Sequence, residues 1–195
     1  MTEDLGGQGF DRIRPASDAV APAAAGSTLS GIGAVSAIGG ASSEVVFDPA
    51  ALDMLTGSAD PAIAGAGTVG SQVKMRSGSA WLIANVRALR LDEASGRIVA
   101  QVDFLGEGDE EKLTGKLYSF RRGVTRYPSP GTAVFPVSTA DLRQIYAAED
   151  RANIEVGNVY PTRDIRAALY VDAMLGKHFA LLGSTGTGKS TSAAL

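Results

Sequence analysis

The rhythm of apolar and polar positions changes near Val69. Upstream, residues 1 to about 67 are mostly Gly, Ala, Ser, Thr and Pro, with Phe10 and Phe47 as their only aromatics. A segment so poor in large apolar side chains buries too little surface to offset its ordering entropy, so a disordered tail is expected over 1–67. One island within it reads differently. Asp48-Pro49 followed by Ala50 to Leu55 and Gly57 supplies an N-cap, a proline at the first helical position and a closing glycine. A transient turn of helix in a linker is expected there, with a docked element as the alternative.

Downstream the spacing is that of strands. Val69, Val73 and Met75 fall two or four apart, and Trp81 to Leu91 is rich in Trp, Ile, Val and Leu. Asp92 to Gly96 makes a turn, and Arg97 to Leu105 then alternates Ile98, Ala100, Val102 and Phe104 against Val99, Gln101 and Asp103. Gly106 to Glu111 reads as an acidic loop, with Leu113–Phe120 and Ala133–Val137 as two further short runs. Short strands joined by turns at this spacing predict a small antiparallel barrel or sandwich, and the barrel is the expectation because closing the sheet removes exposed edges. The barrel domain is expected over 68–152 and includes a helix from Ala140 to Ala148, capped by Thr139, with Leu142, Ile145 and Tyr146 on one face. Asn153–Tyr160 and Asp164–Val171 are again extended. Met174-Leu175-Gly176 turns the chain, and Lys177–Leu182 reads as an apolar strand.

Composition narrows the chemistry. The 195 residues include no cysteine and one histidine, His178, which excludes disulfides, thiolate metal sites and any multi-histidine zinc site within this chain. No run of 18 apolar residues occurs, and Ala19–Ala25 carries proline and lacks the leucines of a secretory signal, so no membrane span and a cytoplasmic location are expected. The net charge of −3 is uneven. Residues 1–70 hold two basic and eight acidic residues, whereas the remaining 125 hold 16 basic and 13 acidic. A mildly basic folded part permits a nucleic-acid partner without indicating one.

One segment carries specific chemistry. Gly183-Ser184-Thr185-Gly186-Thr187-Gly188-Lys189-Ser190 fits G-x-x-x-x-G-K-[ST] in full. Glycines let backbone amides approach phosphate oxygens without a Cβ in the way, and the start of the following helix adds its positive end. Lys189 brings a mobile charge to the β- and γ-phosphates, and the Ser190 hydroxyl is a hard oxygen ligand for Mg²⁺. With Thr191 beside them, these residues form the expected ATP site, with ATP and Mg²⁺ as cofactors. The sequence ends at Leu195, five residues after Ser190, without a downstream acidic strand or arginine finger. An incomplete RecA-like α/β ATPase domain is therefore expected from 153 to 195. The chain as written is not expected to hydrolyse ATP alone, and no catalytic residue is assigned.

The stretch from Ile154-Glu-Val-Gly157 through Leu169-Tyr-Val-Asp-Ala-Met-Leu175 to His178-Phe-Ala-Leu-Leu-Gly-Ser-Thr-Gly-Thr-Gly-Lys-Ser190 resembles the HerA family of the HerA–FtsK group of P-loop ATPases. Arg122-Gly-Val-Thr-Arg-Tyr-Pro128-Ser-Pro130-Gly131 is similar to that family's barrel, itself named for the N-terminal barrel of ATP synthase subunits. The resemblance implies a hexameric ATP-driven translocase on double-stranded DNA, with a nuclease or other effector docking on the barrel side. The alternatives are a non-enzymatic oligomerisation or docking barrel with a vestigial nucleotide loop, or another P-loop ATPase of the conjugation or secretion type.

Other features take plainer readings. His178 is expected to bond backbone at a strand end, with nucleotide sensing as the alternative. Lys112, Lys116, Arg121, Arg122 and Arg126 are expected to form a solvated face, with contact to DNA or a neighbouring subunit as the alternative. Trp81 is expected in the core, and Glu107–Glu111 in an exposed hairpin loop rather than a divalent-metal site.

Overall fold

The structure is a computed structural model that describes residues 31–39, 43–111, 117–147 and 150–177, together with positions 180, 184, 186 and 190. It is mainly β. Strands β1 (Gly33–Ala37), β2 (Ser43–Phe47), β3 (Gln72–Ser77), β4 (Ala80–Asp92), β5 (Arg97–Glu110), β6 (Leu117–Arg122) and β7 (Ala133–Pro136) form one sheet. Its pairings run β1–β2–β5–β4–β3–β7 and back to β1, each antiparallel, so six strands close into the expected barrel. The seventh strand, β6, hangs outside the ring on the far half of β5, opposite Gly106–Glu110.

Alternation along the strands explains the two cores. Val73 and Met75 of β3 and Leu82, Ala84 and Val86 of β4 point inward, where they meet Val35, Val45, Phe47, Ala100, Val102 and Val134. Phe47 is fully buried there, worth about 1.5–3 kcal/mol for such a side chain. The intervening positions, Trp81 and Ile83, face outward. Solvent does not meet them, because Leu117, Val137, Leu142 and Ile165 cover them in a second apolar cluster. Burial on both faces is why the middle of β4 reads as a continuous apolar run.

Three expectations are corrected. The segment assigned to a tail supplies, from residue 31 onward, two of the six barrel strands and two helices, α1 (Pro49–Leu55) and α2 (Pro61–Ala64). Its small residues suit that place. A Cβ on Gly33 would lie 2.3 Å from the Val46 carbonyl oxygen, so only glycine allows β1 this close to β2. Helix α1 is docked rather than transient. Asp48 caps it by accepting from the Ala50 amide at 3.1 Å, and Ala51, Leu52 and Leu55 pack on the inner core. Residues 1–30 lie outside the described residues.

The second correction concerns the acidic run. Strand β5 continues to Glu110 instead of ending in a loop at Gly106, because Gly106 leaves room for β6, whose Arg121 oxygen would be 2.2 Å from an added Cβ. The third is a shift of cap. Helix α3 spans Thr139–Tyr146 with Ser138 as N-cap, completing a capping box with Asp141, while Thr139 bonds elsewhere. Its expected apolar face holds: Leu142 is buried, and Ile145 and Tyr146 pack on the outer cluster. Beyond α3, β8 (Asn153–Asn158) and β9 (Arg166–Tyr170) form a separate antiparallel hairpin that runs into α4 (Val171–Leu175).

Candidate functional site

The hairpin carries the chain to the glycine-rich loop. Val159 donates to the Ile165 carbonyl at 2.9 Å and Thr162 to the Val159 carbonyl at 2.6 Å, which closes the connection between β8 and β9. Arg151 stacks on Tyr170, with its guanidinium 3.5 Å from the ring centroid, and approaches Asp172 of α4 at the same distance. These contacts are exposed and individually weak. Gly176 then ends α4 by donating to the Asp172 carbonyl at 3.0 Å.

Within the loop the structure describes three of the expected ATP-site residues. Ser184 and Ser190 are exposed, Ser190 in helical conformation. Gly186 is exposed at φ 87°, in the left-handed region that glycine enters without a Cβ penalty. Gly183, Thr185, Thr187, Gly188, Lys189 and Thr191 lie outside the described residues, as does His178. Of the strand expected over 177–182, the described positions Lys177 and Ala180 are not in strand conformation.

The other candidates separate. Lys112 and Lys116 lie outside the described residues, whereas Arg122 and Arg126 are exposed. Arg121 is engaged: its Nε donates to Glu107 at 3.0 Å and its Nη2 also reaches that carboxylate. Glu107 is 2 % exposed, not a loop residue in solvent, and it also accepts from the Thr125 amide at 3.0 Å and the Thr125 hydroxyl. The Thr125 amide, followed by the Arg121 guanidinium, holds its carboxyl below the usual glutamate range. Glu110 pairs with Arg76. Among the described residues, no group of His, Asp and Glu side chains is arranged to hold a metal ion. Also among them, no helix is long and apolar enough to cross a membrane.

Trp81 is 7 % exposed and sits edge-on to Phe135 at 5.6 Å, in the core as expected. Lys74 and Arg76 lie over its ring at 5.1 and 4.5 Å.

Two polar joints around α3 escape a reading based on apolar spacing. Lys74 Nζ lies 2.7 Å from Asp141 Oδ2 with both side chains buried, and the same carboxylate accepts from the Ser138 amide and hydroxyl. Asp60, the N-cap of α2, accepts from the Thr139 amide at 2.9 Å and its hydroxyl at 2.5 Å. Burial pushes the Asp60 carboxyl up, but the Thr139 hydroxyl and amide and the Ala62 and Ile63 amides outweigh it, leaving a value below the usual one. Tyr146, at the far end of α3, is pushed up by burial, partly offset by Arg122. The one signal in the sequence for the first joint is Ser138-x-x-Asp141, a capping-box spacing; its buried cation 67 positions upstream has none.

No curated protein gives a match to this chain. Residues 154–195, which begin inside β8 and include the whole glycine-rich loop, match the family model described as Helicase HerA, central domain. At that coarse level, the end of the chain is similar to a HerA-type P-loop ATPase.

Proposed function

We propose that this chain supplies the barrel and the nucleotide loop of a cytoplasmic, ATP-driven DNA translocase of HerA type that works as a hexameric ring. The observation that carries the reading is the match over 154–195, which coincides with a complete G-x-x-x-x-G-K-S motif and follows a closed barrel. In this reading the amides from Gly183 to Ser190, with Thr191, cradle the phosphates. Lys189 neutralises the β- and γ-oxygens and the Ser190 hydroxyl ligates Mg²⁺. The positive φ of Gly186 and the exposure of Ser184 and Ser190 are compatible with that role. Bound ATP supplies the phosphoanhydride whose cleavage drives movement. The barrel serves assembly of the ring and docking of an effector such as a nuclease, and double-stranded DNA is the track.

Equilibrium dialysis with labelled ATP and Mg²⁺ tests the site. Replacing Lys189 by alanine removes a charge-assisted contact worth about 1.5–3 kcal/mol, so affinity should fall roughly 10- to 100-fold. Equal affinity in the two proteins would overturn the nucleotide reading. Sedimentation with and without ATP tests the ring: a barrel that assembles identically without nucleotide and binds none would be a docking module instead.

A further inference from the structure

We infer that the contact between Ile165 and helix α3 is the joint through which nucleotide at the 183–190 loop is felt in the barrel, an inference that rests on the nucleotide reading above. The helix is held on two sides by unlike contacts. On the barrel side, Asp141 forms the buried ion pair with Lys74 of β3, and Thr139 donates twice to Asp60. On the hairpin side, Arg143 pairs with Asp164, both half-exposed, and Ile165 is buried against the cluster that contains Leu142.

These two sets differ in what they resist. Separating a buried ion pair leaves uncompensated charge in the interior, whereas an exposed ion pair opens at little cost and an apolar contact can slide. A pull on the hairpin therefore leaves α3 with the barrel and shears the contact at Ile165. The covalent route for such a pull is short. From the loop it runs back through Gly176 and α4 to β9, whose first residue, Arg166, follows Ile165. Packed apolar contacts shift between discrete arrangements rather than deforming continuously, so a small displacement at Ile165 repacks the outer cluster.

Trp81 belongs to that cluster, and it is the only tryptophan in the chain. With Lys74 and Arg76 against its ring, its emission depends on both the packing and those two cations. It is a built-in reporter of the joint.

The test uses the full chain, with labelled ATP for binding and Trp81 emission for the response. Wild-type protein should show an emission change that saturates with ATP and Mg²⁺ in step with binding. Lys189→Ala should lose both binding and response. Ile165→Ala should keep ATP affinity within about twofold, since it lies outside the loop, yet lose the emission change. Arg143→Ala, at an exposed position, should keep binding and reduce the change only in part. Should Ile165→Ala fail to fold, Ile165→Val replaces it and must diminish the change. Binding without any emission change in wild type overturns the coupling and leaves the nucleotide reading standing. A full response in the Ile165 variant overturns that contact as the route. Absence of ATP binding in wild type overturns the nucleotide reading and the coupling with it.

Discussion

The barrel and the β8–β9 hairpin are written in the same alphabet yet reach opposite states of burial. Ile154 and Val156 in β8 are spaced like Val73 and Met75 in β3, but the first pair is about half exposed and the second fully buried. Every strand of the ring has a neighbour on both sides, and all six contribute side chains to one inner core. Strand β8 pairs only with β9 among the described strands, and all six of its residues are exposed. Alternation thus specifies which side chains share a face, and the number of layers against that face decides whether it is worth anything to stability.

Substitutions can break or sharpen that contrast. The largest effect is expected at the barrel's polar joint. Lys74→Ala leaves Asp141 buried without its ion partner, a loss of about 3–5 kcal/mol in urea unfolding, partly recovered when Asp141 is replaced by asparagine in the same protein. Next comes an apolar deletion made in both regions. Leu82→Ala, inside the ring, should cost about 2–5 kcal/mol. Val156→Ala in β8 should stay within about 0.5 kcal/mol of wild type. Equal losses at the two sites would show that the hairpin is covered in solution and would end the comparison.

The smallest effect is a pH dependence confined to the barrel side. Glu107 and Asp60 have folded-state values below their ordinary 4.5 and 3.8, so folding favours their ionised forms. Their contribution is complete above those ordinary values and is lost as pH falls through the depressed ones. Thermal unfolding followed from about pH 6 to pH 3 should therefore show stability declining in the lower part of that range. Glu107→Gln should flatten the decline. An unchanged slope would mean that the Thr125 and Arg121 contacts do not favour the carboxylate.

Much of the fold is legible in the residues. The strands from β3 to β5, the helix near 140 and the two extended runs before the loop all follow from local spacing, because alternation and capping are decided by near neighbours. The segment 31–67 was illegible for the converse reason. Gly33, Ala34 and Ser43 have little strand preference of their own, and although Val45, Val46 and Phe47 do, so short a run becomes a barrel strand only because β5 lies ready to pair with β2 and β7 with β1. Glu107 misleads in the same way. An acidic run looks like a loop until Arg121 and Thr125, brought over by β6 and the turn after it, satisfy the charge.

What the sequence determined by itself is the alternation, the turns and the order of groups in Gly183–Ser190, since each depends on residues a few positions apart and on their intrinsic chemistry. Tertiary structure alone decided that the sheet closes through β1 and β2, that Trp81 and Ile83 are covered from outside, and that Lys74 meets Asp141. Those outcomes require chain segments tens of residues apart to meet, and a buried charge or a bare backbone edge becomes tolerable only once its distant partner has arrived.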